Sequence, residues 1–247
     1  MSRSKSTTRL YIEGAIPEHG ILDAPAHQAH HVAHVLRLAA GDALVVFDGR
    51  GLEYPAVIEQ IAKSRVTLRL AEPRVVNRES TLAVDLAQGI SGGERMDFTI
   101  QKAVELGVRS IQPLATERSV VRLDATRAAK RIAHWQAIAV AACEQCGRNL
   151  VPRVMPVMPL SAWLAGAAPD GLRLTLAPEA AKSLLALDSP AGSIVLLVGP
   201  EGGLSPRERH DAESAGFSPV RMGPRILRTE TAALAALAAM QALWGDF

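Results

Sequence analysis

The rhythm of apolar positions changes once along the chain, near residue 75. Before that point short apolar runs are broken by turn signals: Leu10-Tyr11-Ile12, then Ala43 to Phe47 followed by the hairpin-type turn Asp48-Gly49-Arg50-Gly51, then Glu53 to Ile61 and Val66 to Leu70. Between the first two runs, Ala24 to Leu38 repeats apolar residues at helical spacing and is stopped by Gly41. The pattern predicts a small β-rich domain over residues 1–75 with one helix, and the polar stretch Pro73 to Ser80 reads as a linker.

From residue 76 to 247 strand-like and helix-like segments alternate, the pattern of βαβ units and a parallel sheet. Strands are predicted at Leu82–Leu86, Ser110–Leu114, Leu172–Leu176, Ile194–Val198 and Pro219–Met222. Helices are predicted at Glu94–Leu106, stopped by Gly107, and at Ala125–Cys146, capped by Asp124. Ser205-Pro206-Arg207-Glu208 sets Ser at the N-cap, Pro at the first helical position and Glu at the third, a strong helix start. An Ala-rich helix from Thr229 to Trp244 ends the alternation at Gly245, and its small residues suit either a core position or a subunit contact. The fold class is therefore α/β with a parallel sheet, preceded by a smaller β-rich domain.

Composition narrows the classes. The 247 residues are 48% hydrophobic and 21% charged, which excludes intrinsic disorder, and no apolar run reaches the length of a membrane span. The basic start MSRSKSTTRLYIEG lacks the apolar core of a signal peptide, and two Cys make a disulfide framework unexpected, so a reducing cytoplasm is the expected location. Net charge is only +2, but 22 of the 27 basic residues are Arg, whose planar fork suits phosphates and base edges, although codon bias in a GC-rich genome gives the same excess. Placement is more informative. From Arg109 to Arg153 eight basic residues face three acidic ones, and Arg221, Arg225 and Arg228 have no acid between them.

Two segments could carry chemistry. Leu196 to Ser205 runs a buried strand into Gly199-Pro200-Glu201-Gly202-Gly203 and then into a capped helix, a turn at the strand's carboxyl end where open α/β sheets bind ligands. It is neither a Walker A loop nor GxGxxG, and a tight turn with no ligand explains it too. Met222 to Ala233 repeats the plan: a short strand, a Gly223-Pro224 loop, and the last helix, with Thr229 as its expected N-cap. Glu230 suits the helix dipole structurally, and Arg228 could pair with it or face a ligand. Two such loops after neighbouring strands make one shared pocket the favoured arrangement.

Other clusters are weaker. His27, His30, His31 and His34 share one helical face, but no Cys or carboxylate completes a ligand set, so no metal is expected. Cys143 and Cys146 form a C-x-x-C with no second pair and read as packing residues. No Ser-His-Asp signature or G-x-S-x-G is found.

Taken together the segments resemble one family, the bacterial small-subunit ribosomal RNA uridine-N3 methyltransferases (RsmE type) of the SPOUT superfamily. The matching residues are Ala29-His30-His31, Val35 to Leu38, Gly41-Asp42, Phe47 to Gly49, Gly93 to Asp97, Gln101 to Val108, Thr116 to Ser119, Cys143 to Asn149 with Val151-Pro152, Gly199 to Ser205, and Gly223 to Ala232. They run collinearly almost end to end. The resemblance implies a PUA-like RNA-binding domain followed by a methyltransferase domain with a deep trefoil knot, a homodimer that builds each active site at its interface, and S-adenosyl-L-methionine as cofactor. It implies that the cofactor meets Leu176, Leu197, Val198, Gly199, Pro200, Glu201, Gly202 and Gly203 from one side, and Met222, Gly223, Ile226, Leu227, Arg228 and Thr231 from the other. Arg228, Glu201 and Glu230 are the catalytic candidates, and Arg9, His31, Arg37, Arg118, Arg122 and Arg148 the RNA-binding ones. The implied substrate is one uridine of small-subunit (16S) ribosomal RNA, presented by an assembled 30S subunit. Two alternatives remain: the same chemistry at another RNA position, and a non-catalytic RNA-binding assembly factor.

Overall fold

Alternating inward apolar and outward polar residues in the first part of the chain do form strands, and a computed structural model describes residues 8–62, 65–119, 124–166 and 171–247. The chain divides into two units, residues 1–79 with 143–151, and residues 80–142 with 152–247. The sequence reading assigned 143–151 to the second domain; the contacts group them with the first.

In the first unit β1 (Thr8–Tyr11), β2 (Gly20–Ala24), β3 (Ala43–Phe47), β4 (Leu52–Ala62), β5 (Arg65–Leu70) and β6 (Arg74–Val75) make one sheet in the order β1-β3-β4-β5-β2, with β6 beside β4. β1 runs parallel to β3 and the other pairs are antiparallel. Leu10, Val46, Ile58 and Leu68 point inward from successive strands and are essentially unexposed. The stretch expected as a linker is structured, because β6 lies within it. The expected helix is shorter than its periodicity: α1 (Ala26–His30) passes into a π turn over His31–Val35. It stops before Gly41 because Arg37 adopts a left-handed φ of +54°, the one non-glycine among the described residues to do so. The side chains of His27 and His34 lie outside the described residues.

The second unit is a seven-stranded, wholly parallel sheet. Its strands are β7 (Val84–Gly89), β8 (Ser110–Ala115), β9 (Arg153–Val154), β10 (Met158–Pro159), β11 (Leu172–Leu176), β12 (Ile194–Val198) and β13 (Ser218–Val220), in the order β10-β8-β7-β12-β11-β13 with β9 beside β8. Every residue of β12 is buried, as a central parallel strand covered on both faces requires. Its helices are α2 (Glu94–Glu105), α3 (Ala125–Cys146, whose last turn groups with the first unit), α4 (Leu160–Ala165), α5 (Pro206–Ser214) and α6 (Thr229–Trp244). Asp124 caps α3 as expected, accepting from the Arg127 amide at 2.8 Å. α6 packs against α2, where buried Gln241 donates to the Leu106 carbonyl at 3.0 Å and accepts from the Ser80 hydroxyl at 2.7 Å. These bonds satisfy a polar side chain within an otherwise alanine-rich face.

Candidate active site

Three neighbouring strands, β12, β11 and β13, end on the same side of the sheet, and the segments leaving them enclose one cavity of about 330 Å³. That volume is at the lower end for sites holding small organic ligands. Leu176 to Glu179 leave β11, Val198 to Leu204 leave β12, and Met222 to Leu227 follow β13; Thr229 and Ala232 of α6 complete the wall. The β12 turn is sharp because α5 must begin at once. Ser205 Oγ accepts from the Glu208 amide at 3.1 Å, and the Glu208 carboxylate accepts from the Ser205 amide at 2.8 Å, a complete capping box. Gly203 takes φ +65° so that its amide can reach the Pro200 carbonyl at 2.8 Å.

The turn is held from several directions. Glu201 accepts from the Gly92 amide at 2.8 Å and from Arg95 Nη1 at 2.9 Å. Burial alone would raise the Glu201 pKa, but bonds from its own amide, the Gly92 amide and Arg95 outweigh it and bring the carboxyl below its ordinary value. Arg118 Nη1 donates to the Gly202 carbonyl at 3.0 Å, and the Glu117 amide donates to Glu208 at 2.8 Å, so the segment after β8 also grips this turn. On the opposite wall Arg221 donates to the Ala180 carbonyl at 3.0 Å and to that of Ala181, tying the β11 and β13 segments together.

Most of the residues expected to meet the cofactor converge here. Leu176, Val198, Gly199, Pro200, Glu201, Gly202, Gly203, Met222, Gly223, Ile226 and Leu227 all line the cavity. Leu197 does not. Alternation along β12 turns its side chain into the core cluster with Ala87, Leu114 and Leu160. Thr231 is exposed on α6 and outside the lining. Arg228 is exposed, and the residues on either side of it both line the cavity. It is also the N-cap of α6, a position the sequence reading gave to Thr229; Thr229 is the first helical residue, and its hydroxyl bonds elsewhere. Glu230 Oε2 is buried without a hydrogen-bond partner among the described residues. Glu201, expected to be catalytic, is engaged by three donors that favour its charged form, which suits a clasp and makes a poor proton acceptor.

Sequence reasoning missed Ala177, Pro178 and Glu179, although they directly follow a strand at the binding end of the sheet. It also missed Arg209, for which nothing local distinguishes it from other arginines, whereas Arg225, singled out with Arg221 and Arg228 as a cluster without acids, does line the cavity.

The RNA candidates separate into two groups. Arg9 is withdrawn from solvent: Nη1 donates to Glu53 at 2.7 Å, Nη2 to the Arg148 carbonyl at 3.2 Å and to Asn149 Oδ1, and the guanidinium lies 4.6 Å from the Phe47 ring centre. Arg148 is 6% exposed and donates to Glu79 at 2.9 Å. Both cations are neutralised within the first unit, so the expectation that they meet phosphates is corrected. Arg37 and Arg118 are exposed and His31 is half-buried; Arg122 lies outside the described residues. Cys143 is fully buried, with its thiol pushed up by the Cys146 hydrogen bond and then by burial, as a packing residue would be. Among the described residues no cluster of His, Cys, Asp or Glu is arranged to hold a metal.

A family model described as the RNA methyltransferase domain matches residues 78–241, and one described as the RNA methyltransferase PUA domain matches residues 25–71. A methyltransferase of Legionella pneumophila, solved in complex with bound SAM, is 40% identical and superposes with a TM-score of 0.94, covering 98% of this chain and 100% of that one. The ribosomal RNA small subunit methyltransferase E of Neisseria gonorrhoeae, solved bound to S-adenosyl methionine, is 42% identical with a TM-score of 0.91, covering 98% and 99%. The protein of the same name from Buchnera aphidicola is 33% identical over 99% of this chain and 97% of its own length.

Proposed function

The chain belongs to the ribosomal RNA small subunit methyltransferase E family, and from that membership we propose that it transfers a methyl group from S-adenosyl-L-methionine to N3 of one uridine in small-subunit ribosomal RNA. The observation that carries this reading is the cavity shared by the Gly199–Gly203 and Met222–Leu227 segments. A Cβ added at Gly199 would lie 2.9 Å from the Leu204 amide nitrogen, so the turn closes that tightly only around glycine. Such a cradle fits a flat adenine ring and a methionine chain bound through backbone groups. When bound, the cofactor supplies an activated methyl group on a sulfonium that departs as a neutral thioether.

The residues therefore have to position and to manage charge. The new bond joins the methyl carbon to N3, the carbon–sulfur bond breaks, and the N3 proton passes to solvent. As that proton leaves, the uracil ring becomes anionic, and Arg228 stands beside the cavity with a permanent positive charge that can steady O2 or O4. N3 is hidden in a base pair, so the target must be unpaired or everted, and an assembled 30S subunit is the form proposed to present it.

RNA phosphates would meet exposed cations. Those of α3's first half, Arg127, Lys130 and Arg131, share one helical face and are joined in this role by Arg37 and His31 of the PUA-like unit. A homodimer is supported by Phe98 on α2 and Leu243 on α6, which are 48% and 44% exposed although these two helices pack together. A trefoil knot in the C-terminal unit belongs to the same reading, and α6 returning to pack against β7 and β12 is compatible with it. No helix of the described residues is long and apolar enough to cross a membrane, and ribosomal RNA as substrate puts the reaction in the bacterial cytoplasm.

The test is primer extension and nucleoside mass spectrometry on 16S RNA from a strain lacking the gene. Loss of one 3-methyluridine stop, restored by the purified protein with S-adenosylmethionine on 30S subunits, is the expected result. A modified product at a ribose or another base would move the activity elsewhere, and bound cofactor with no product would make the protein an assembly factor.

A further inference from the structure

Behind the cavity wall a buried glutamine joins the two cofactor segments. Gln88 is the fifth residue of β7, paired with Val198 of β12, and its side chain is wholly unexposed. Its Nε2 donates to Thr229 Oγ1 at 3.0 Å and to the Gly89 carbonyl at 3.0 Å, with the Gly199 carbonyl at 3.4 Å. Thr229 Oγ1 in turn donates to the Gly199 carbonyl at 2.6 Å. Three acceptors surround Nε2, which fixes the orientation of the amide, while Oε1 has no partner among the described residues. The direction of the relay is therefore set: amide to hydroxyl to peptide carbonyl.

We propose that Gln88 and Thr229 are positioning residues for the methyl donor, forming a latch that fixes the Gly199 peptide and holds the β12 turn against the start of α6. Gly199 and Thr229 both line the cavity, 30 residues apart in sequence, and this bond joins them directly. A carbonyl fixed at the first glycine of the turn constrains the peptide groups that follow it, and the residues carrying them line the cavity. A steeper demand falls on Thr229 than helix propensity explains, because its hydroxyl has left the N-cap role to Arg228 and serves the latch. Packing reinforces the approach: a Cβ at Gly89 would lie 2.6 Å from Pro200, so β7 and the turn touch backbone to backbone.

This inference takes its ligand from the proposed cofactor, and its test separates the two. Hydrogen exchange at the amides of Gly199 and residues 201–204 in the ligand-free protein reads the latch alone, and calorimetry with S-adenosylmethionine reads its consequence. Thr229→Val keeps the shape and removes the hydroxyl; it should raise exchange in this turn at least ten-fold and weaken the cofactor by roughly ten-fold. Thr229→Ser should restore both to within about two-fold. Should Thr229→Val fail to fold, Gln88→Met, which keeps side-chain length without the donor, should give the same local rise in exchange. Unchanged exchange in a folded variant, or Thr229→Ser as defective as Thr229→Val, overturns the latch. Wild-type protein with no affinity for S-adenosylmethionine overturns the cofactor reading, while the exchange data still decide whether the latch exists.

Discussion

Arg228 and Glu230 lie two apart at the start of α6, a spacing that places side chains on different sides of a helix. Glu230 keeps a buried oxygen without a donor among the described residues, so the arrangement leaves the Arg228 guanidinium to another task than neutralising that oxygen. The position is exposed, next to the cavity, and N-caps α6 through its backbone rather than its side chain. Arg228→Ala should therefore leave cofactor affinity within about three-fold and lower single-turnover methyl transfer by roughly 10²–10³, the loss expected for one donor aimed at developing negative charge. Rapid-quench measurement on 30S subunits gives the answer, and an unchanged rate would reduce Arg228 to a cap. Gly199 illustrates a different residue-scale lesson. Any side chain there meets the backbone of Gly203 and Leu204 before it meets a ligand, so Gly199→Val damages the turn first and the ligand's space second.

Elements with a strong period or a cap were legible in the sequence: β12 from its continuous apolar run, α5 from its capping box, α3 from Asp124. Those that depend on distant partners were not. β6 has two residues and exists because β4 offers them an edge, so a polar stretch looked like a linker. The segment 143–151 groups with the first unit for the same reason, although the family model of the methyltransferase domain runs through it: Glu79 takes Arg148, Glu53 takes Asn149 at 3.3 Å, the Val76 carbonyl takes Asn149 at 2.9 Å, and Glu144 takes the Tyr11 amide at 2.9 Å. Glu53 lies below its ordinary pKa, because bonds from Arg9, Asn149 and Arg78 overcome the burial that would raise it. A depressed carboxylate contributes stability that is present above the ordinary glutamate pKa and is lost as pH falls through the lower folded value. Glu53→Gln should cost about 3 kcal/mol at neutral pH by leaving the buried Arg9 without its counter-ion. It should also flatten the acid side of the stability profile, so thermal midpoints of both proteins from neutral pH down to pH values below the glutamate range would converge. A parallel acid limb in the variant would remove Glu53 from the account.

For the whole molecule, a net charge of +2 is nearly silent about RNA, and localising it helps only after the structure is known. The segment from Arg109 to Arg153 carries an excess of five positive charges in sequence, yet its members do different work. Arg109 is paired with Asp85 at 3.0 Å, Arg148 with Glu79, and Arg118 with the Gly202 carbonyl in the turn after β12. What remains toward solvent is the first half of α3, where no described residue from Ala125 to His134 is buried and Arg127, Lys130 and Arg131 follow at intervals of three and one, Arg127 making only an exposed pair with Asp124 at 3.4 Å. A helix so little covered gains little from packing, and its cations lie where an extended polyanion can reach several at once. Each phosphate neutralised releases condensed counterions, which makes affinity fall with salt by about 0.7 in logarithmic slope per contact on single strands. Reversing all three charges to Glu should thus flatten the salt dependence of 30S or 16S RNA binding by about two units and raise KM for the RNA, with S-adenosylmethionine affinity unaffected because the cavity is built from other segments. If the slope is unchanged and the variant instead sediments as a monomer, this face of α3 belongs to a subunit contact, and the phosphates must be sought at Arg37 and the exposed arginines around the cavity mouth.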